Sequence, residues 1–149
     1  MPWLDVPFIP QTEDSWCVPA CVAMVAAFNG ESLTQKDIAR WLGTTDIGTP
    51  ASRIQHMSRR GFEVVYRQGS LDEVRNWLAR GFPCILFLRT GELAYWEHDT
   101  PHAVVLAGIE GNEAVLLDPA YDRSFIKVTL DELMLAWSSL VTRLQFCID

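Results

Sequence analysis

Hydrophobic and polar positions divide the chain into a helical first half and a strand-rich second half. The apolar run from residue 17 to residue 28, closed by Asn29-Gly30, predicts a helix that is buried on every side. Three further segments carry helix-start and helix-stop signals. They are 34–43 (Thr34 as N-cap, Gly43 as stop), 49–61 (Thr49 as cap, Pro50 in the first turn, Gly61 as stop) and 70–81 (Ser70 and Glu73 in capping-box spacing).

Short β-branched and aromatic runs predict strands in the second half of the chain. They lie at 62–66, 83–89, 102–109, 113–118, 124–128 and 140–146, with a short helix at about 130–137. Only Glu110-Gly111-Asn112 separates the runs at 102–109 and 113–118, which predicts a tight hairpin. Helices followed by an antiparallel sheet predict an α+β fold, and the absence of repeats or linkers predicts one domain over 1–149.

Composition and charge exclude several classes of protein. The 149 residues carry a net charge of −7 and no basic patch, which argues against a nucleic-acid or anionic-membrane partner. The N-terminus lacks a secretory signal, and no apolar stretch approaches the roughly 20 residues that span a bilayer. We therefore expect no membrane insertion, a cytoplasmic location and reduced cysteines. The sequence does not indicate the oligomeric state of the protein.

Cys17 lies at the first turn of the apolar helix, where the helix dipole favours a thiolate. A thiolate is the reactive form of cysteine, so this position suits a nucleophile. A buried, unreactive cysteine is the alternative. Cys21 falls one turn further along the same face and is expected to pack in the core, as are Cys84 and Cys147. No cysteine pair or histidine cluster shows metal-ligand spacing, so no metal or other cofactor is expected.

Of the three histidines, His102 is the best candidate for a base. His56 is expected on a solvated helix face, and His98, in a polar loop, remains an alternative base. The hairpin brings His102 near Asp118, and the two share a face of the sheet if paired residue numbers add to an even total. Asp118 would then orient the imidazole, as in catalytic triads.

Gln11 completes the predicted site. Its side-chain amide precedes the nucleophile helix by six residues and could donate to a developing oxyanion, together with the backbone N–H of Cys17. Trp16, Val18 and Trp96 are candidate substrate contacts, although the two tryptophans could equally be packing residues.

The order of these residues resembles the papain-like cysteine peptidases, and more closely the bacteriocin-processing, double-glycine leader peptidase family. The matching segments are VPFIPQTEDSWCVPAC, GSLDEVRNWLARGFPCILFL and HAVVLAGIEGNEAVLLDPA. The resemblance implies a papain-like fold and a peptide or protein substrate cleaved after small residues such as Gly-Gly or Gly-Ala. It also implies Cys17 as nucleophile, His102 as base, Asp118 as its orienting group and Gln11 as oxyanion donor.

Two departures from that family shape the alternatives. Val18 stands where the family usually has glycine after the nucleophile, and a β-branched side chain there could narrow the approach to the thiol. The transporter domains of the bacteriocin-processing members are absent from this sequence, so a stand-alone domain is expected. The main hypothesis is a cysteine peptidase acting through a Cys-His-Asp triad and a thioester acyl-enzyme. An acyl transferase or deamidase with the same triad, and a non-catalytic peptide-binding domain, remain alternatives.

Overall fold

A computed structural model describes the backbone of residues 3–146 and the side chains of residues 3–145. In chain order the elements are α1 (Cys17–Phe28), α2 (Gln35–Leu42), a 3₁₀ helix (Ala51–Arg60), β1 (Phe62–Gln68), α3 (Leu71–Ala79), β2 (Cys84–Arg89), a short 3₁₀ turn (Thr90–Glu92), β3 (Pro101–Glu110), β4 (Glu113–Leu117), β5 (Ile126–Thr129), α4 (Leu130–Ala136) and β6 (Trp137–Phe146). Within the described residues, no helix has the length and apolar composition to cross a bilayer.

The strands form one antiparallel sheet in the order β1-β6-β2-β3-β4-β5. One face packs on α1, whose residues from Val18 to Ala26 are all buried. The other face packs on α3 and α4 through side chains such as Trp77 and Leu133. A central apolar helix packed against an antiparallel sheet confirms the predicted α+β fold.

The third predicted helix is present over Ala51–Arg60 but is a 3₁₀ helix, not an α-helix. Ile54 and Met57 are its two fully buried side chains, and their spacing of three residues matches the three residues per turn of this helix type. The predicted cap is also wrong, because the Thr49 hydroxyl pairs with that of Thr44 at 2.6 Å. His56 is half-buried and bonds the carbonyl of Trp41 at 3.4 Å, so it does not lie on a fully solvated face.

The remaining boundaries agree with the predictions to within a few residues. The largest difference is β6, which begins at Trp137 directly after α4, three residues before the predicted start. Thr34 and Ser70 accept hydrogen bonds from the expected N–H groups at the starts of α2 and α3. Cys21 and Cys84 are buried as predicted, whereas Cys147 lies outside the described residues.

Candidate active site

A cleft of about 1070 Å³ lies at the N-terminal end of α1. Its walls come from the segment before and at the start of α1, from residues 46–51, and from residues near the adjoining ends of β2 and β3. Cys17, His102 and Gln11 all line it, while Asp118 is fully buried. Four residues predicted as a catalytic group are therefore brought together by the fold.

Cys17 is the first residue of α1 and is partly exposed. The preceding Trp16 is the N-cap residue, yet no side chain of the described chain caps this helix. The first N–H groups of an α-helix have no acceptor within the helix, so the start of α1 leaves donors beside the sulfur. Cys21, one turn further along, is fully buried, and burial raises the pKa of its thiol well above the ordinary value.

His102 and Asp118 meet across the β3–β4 hairpin, where His102 Nε2 and Asp118 Oδ1 are 2.7 Å apart. A β-bulge decides this contact. Near the turn Gly108 pairs with Val115, but beyond the bulge Leu106 pairs with Leu116, so Ala107 is an extra residue in β3. Without that extra residue, alternation would place His102 and Asp118 on opposite faces of the sheet. The bulge therefore changes the sum of paired residue numbers from odd to even, which puts His102 and Asp118 on the same face of the sheet.

The hydrogen-bonded pair changes the proton affinity of both groups. Burial lowers the pKa of His102, but hydrogen bonding with Asp118 and Cys17, and the charges of both groups, raise it to about 9. Burial raises the pKa of Asp118, but the hydrogen bond and charge of His102, with further donors, hold it below its ordinary value. His102 therefore carries a proton at neutral pH, beside an ionised Asp118.

Gln11 is anchored next to this pair. Its backbone N–H donates to the carbonyl of Pro119, directly after Asp118, at 2.8 Å. Its side-chain nitrogen donates to the carbonyls of Glu13 and Asp14, at 3.0 and 2.9 Å. Both amide protons are thus engaged within the loop that leads into α1.

The candidate substrate contacts fall in three different environments. Trp16 does not belong to the cleft lining. Val18 touches the cleft but is only 3% exposed and packs in the core cluster, so most of its side chain faces away from the cleft. Trp96 lines the cleft, and its ring lies 4.9 Å from that of His102 in an edge contact. Its indole N–H donates to Asp118 Oδ2 at 2.9 Å.

His98, the alternative base, also lines the cleft. Its ring packs against Trp96 at 5.5 Å, whereas the bond to Asp118 belongs to His102. Within residues 3–145, whose side chains are described, no three His, Cys, Asp or Glu residues are grouped so as to hold a metal ion. The arrangement thus offers a thiol, a protonated imidazole, a buried carboxylate and backbone donors, the groups that thiol-dependent acyl chemistry uses.

Sequence reasoning missed the supporting roles of two residues, Tyr95 and Gln35, and the bulge. The Tyr95 hydroxyl donates to Asp118 Oδ2 at 2.7 Å. Gln35, at the start of α2, donates to the carbonyl of Pro10 at 2.8 Å and accepts from the N–H of Thr12 at 3.1 Å, so it holds the backbone on both sides of Gln11. Only the bulge had a signal in the sequence, since a glycine inside a strand pattern, here at position 108, is typical of a bulge.

A family model and a curated relative match most of the chain. The model of the Peptidase_C39 like family matches residues 3–143. The probable microcin-H47 secretion/processing ATP-binding protein MchF of Escherichia coli is 31% identical over 121 residues, which cover 81% of this chain. The matched part is 16% of that protein's length.

Solved structures show the same fold. The peptidase domain of Streptococcus ComA superposes with a TM-score of 0.78 at 19% identity, covering 93% of this chain and 96% of that one. A double glycine motif protease from an AMS/PCAT transporter, in complex with its leader peptide, gives 0.78 at 23% identity, with 97% and 94% covered. A putative C39-like peptidase from Bacillus anthracis also gives 0.78, at 19% identity, with 94% of both chains covered.

Proposed function

Because the chain belongs to the Peptidase_C39-like family, we propose that it is a cysteine peptidase, which hydrolyses peptide bonds through Cys17, His102 and Asp118. The observation that supports this assignment is the buried 2.7 Å hydrogen bond between His102 and Asp118. His102 lines the same cleft as Cys17. Replacing a buried ion pair by well-packed apolar residues is often neutral for stability, so a functional role explains the presence of this pair better than a structural role.

In the proposed mechanism, the Cys17 thiolate attacks the peptide carbonyl while His102 holds the proton that the thiol has lost. The tetrahedral intermediate collapses to a thioester as the C–N bond breaks, and His102 Nδ1–H protonates the leaving amine. Neutral His102 then takes a proton from water, whose oxygen attacks the thioester. Collapse of the second tetrahedral intermediate breaks the C–S bond, which releases the carboxylic acid and regenerates the Cys17 thiolate beside protonated His102. Asp118 holds the imidazole by its Nε2–H throughout.

The oxyanion of each tetrahedral intermediate would be stabilised by the backbone N–H of Cys17 and the amide of Gln11. Gln11 must then turn one N–H from the carbonyl of Glu13 or Asp14 towards the substrate. Its backbone bond to Pro119 keeps the residue beside the site during that rotation. One such donor is typically worth about 3 kcal/mol in the transition state.

We further propose that the substrate is a peptide cleaved after two small residues. The support is family membership and the structural likeness to a double glycine motif protease bound to a leader peptide. Trp96 and the cleft-facing edge of Val18 are proposed substrate contacts, since both line the cleft that holds Cys17.

Peptide cleavage and thiol labelling test the proposal together. A panel of peptides with Gly-Gly, Gly-Ala or Leu-Leu before the scissile bond is incubated with the wild type, Cys17→Ala and Cys21→Ala. We expect cleavage of the small-residue peptides, and labelling by a peptide chloromethyl ketone, in the wild type and in Cys21→Ala but not in Cys17→Ala. Cys21 is a matched control because it is fully buried one turn away.

The alternatives give distinct results. If an added amine captures most of the acyl group in place of water, the chain is an acyl transferase. Release of ammonia from glutamine without chain cleavage would make it a deamidase. Binding of the peptides with no labelling of Cys17 in the folded wild type would contradict the catalytic proposal and leave a peptide-binding domain.

A further inference from the structure

Asp118 accepts more hydrogen bonds than the orientation of one imidazole requires. Oδ1 accepts from His102 Nε2 at 2.7 Å and from the backbone N–H of Ala120 at 3.0 Å. Oδ2 accepts from the Tyr95 hydroxyl at 2.7 Å and from the Trp96 indole N–H at 2.9 Å. Two of the four donors therefore come from consecutive aromatic residues in the segment that joins β2 to β3.

This joining segment, Thr90–Thr100, is fastened at several points. At its base, Thr90 and Thr100 bond through both backbone and hydroxyl groups, each at 3.0 Å. Asp99 pairs with Arg89 at the end of β2. At its tip, the N–H of Ala94 donates to the carboxylate of Glu132 on α4 at 2.8 Å. The positions of the next two residues, Tyr95 and Trp96, are thus set by both ends of the segment.

The same two aromatic residues enclose the contact between His102 and Asp118. The Trp96 ring lies 4.9 Å from the His102 ring, and Tyr121 packs at 5.2 Å from both Trp96 and Tyr95. His102 is 8% exposed and Asp118 is 0% exposed. The Asp118 carboxylate is therefore shielded from water, and its hydrogen bonds come from protein donors.

We propose that Tyr95 and Trp96 are positioning residues, which hold Oδ2 of Asp118 and share its negative charge, so that Oδ1 does not stabilise protonated His102 too strongly for proton transfer to the leaving amine. The inference rests on the proposed function, because it concerns the same site. When His102 gives its proton to the leaving amine, the buried carboxylate loses its cationic neighbour. An unpaired buried charge is costly, and two neutral donors that remain in place limit that cost.

The direction of the effect follows from the groups that face one another. His102 faces Cys17 and Asp118. Asp118 in turn accepts a hydrogen bond from Tyr95 and lies near the Tyr121 hydroxyl. The hydrogen bond from Tyr95 lowers the pKa of Asp118. Removing it concentrates the negative charge on the carboxylate and makes Asp118 a stronger acceptor. The pKa of His102 should then rise, in contrast to the fall expected when the carboxylate itself is removed.

Tyr95→Phe tests the proposal, with Tyr66→Phe on β1 as the matched loss of a hydroxyl. The ring nitrogens of His102 are followed by ¹H–¹⁵N NMR against pH, and their signals are assigned by their absence in His102→Gln. We expect Tyr95→Phe to raise the pKa of His102 by about 0.5 unit, a threefold change in proton affinity. For peptide cleavage by Tyr95→Phe, kcat should fall about tenfold with KM unchanged. The alkaline limb of the pH profile of kcat should move to higher pH. Tyr66→Phe should match the wild type in every readout.

An unchanged or lowered pKa of His102 in folded Tyr95→Phe would overturn the proposal. If that variant does not fold, Trp96→Phe replaces it, because phenylalanine keeps a ring against His102 and removes the other donor. The NMR titration needs no substrate, so it separates the two ideas. Absence of peptide cleavage by the wild type counts against the proposed function, whereas an unmoved titration counts against this inference alone.

Discussion

Asp118→Asn is the sharpest perturbation of the site, since it removes the charge and keeps the size of the side chain. The rise in the pKa of His102 from 6.5 to about 9 corresponds to about 3 kcal/mol in favour of the imidazolium. Asp118 contributes to that rise through its hydrogen bond and through its charge, against a burial effect that lowers the pKa. We therefore expect the pKa of His102 to fall by more than about one unit in the variant.

The hydrogen-bond pattern gives a second magnitude for the same substitution. Four donors converge on the two oxygens of Asp118. Asparagine has one oxygen and one NH₂ group, so one pair of donors would face another donor. Unsatisfied buried polar groups cost about 1–3 kcal/mol each. The free energy of unfolding should therefore fall by a few kcal/mol in addition to the effect on His102.

The assay is an NMR titration of the His102 ring, combined with urea unfolding at neutral pH. Asp72→Asn on α3 is the control, because it removes the same charge at an exposed position on the other face of the sheet from α1. We expect that control to keep the pKa of His102 and the stability of the wild type. If His102 titrates at the same pH in folded Asp118→Asn as in the wild type, the electrostatic reasoning for this site is refuted.

Three further predictions concern other parts of the site. Since the folded-state pKa of His102 lies above 6.5, the contribution of its protonation to stability should be present below pH 6.5 and lost as the pH rises through about 9. Urea unfolding should show that the free energy of unfolding falls by about 3 kcal/mol over this pH range in the wild type but not in His102→Gln. Val18→Ala should lower the free energy of unfolding by about 2 kcal/mol with kcat/KM nearly unchanged, and a large gain in kcat/KM would show that the side chain obstructs the thiol. Gln11→Ala should lower kcat about 100-fold, while exposed Gln55→Ala stays at the wild-type rate; equal rates for both variants would remove Gln11 from the oxyanion site.

Val18 illustrates how the structure refines an expectation. The sequence raised the idea that a β-branched side chain beside the nucleophile narrows the approach to the thiol. The Val18 side chain is 3% exposed and packs in the hydrophobic core on the buried side of α1. Because a helix turns by about 100° per residue, the position after a cleft-facing cysteine can point inwards.

The sequence by itself predicted most of the local elements and the residues of the candidate site. The length and closure of α1 follow from an uninterrupted apolar run that ends at Asn29-Gly30. The β3–β4 hairpin follows from two strand patterns with turn residues between them, although the structure pairs Glu110 with Glu113 and leaves only Gly111 and Asn112 in the turn. Helix caps such as Thr34 are equally local, since the hydroxyl bonds an N–H three residues on. These features depend on residues that are close in the chain, so pattern and propensity are enough to find them.

The tertiary structure decided which of those groups meet. The extra residue Ala107 sets the parity of the hairpin, and a one-residue change would have turned His102 away from Asp118. Tyr95 and Trp96 reach Asp118 because both ends of their segment are fastened, one of them to α4. Contacts of this kind join residues far apart in sequence, and their geometry depends on packing and register that no local pattern encodes. The sequence therefore supplied the candidate groups of the site, and the fold determined how they are aligned.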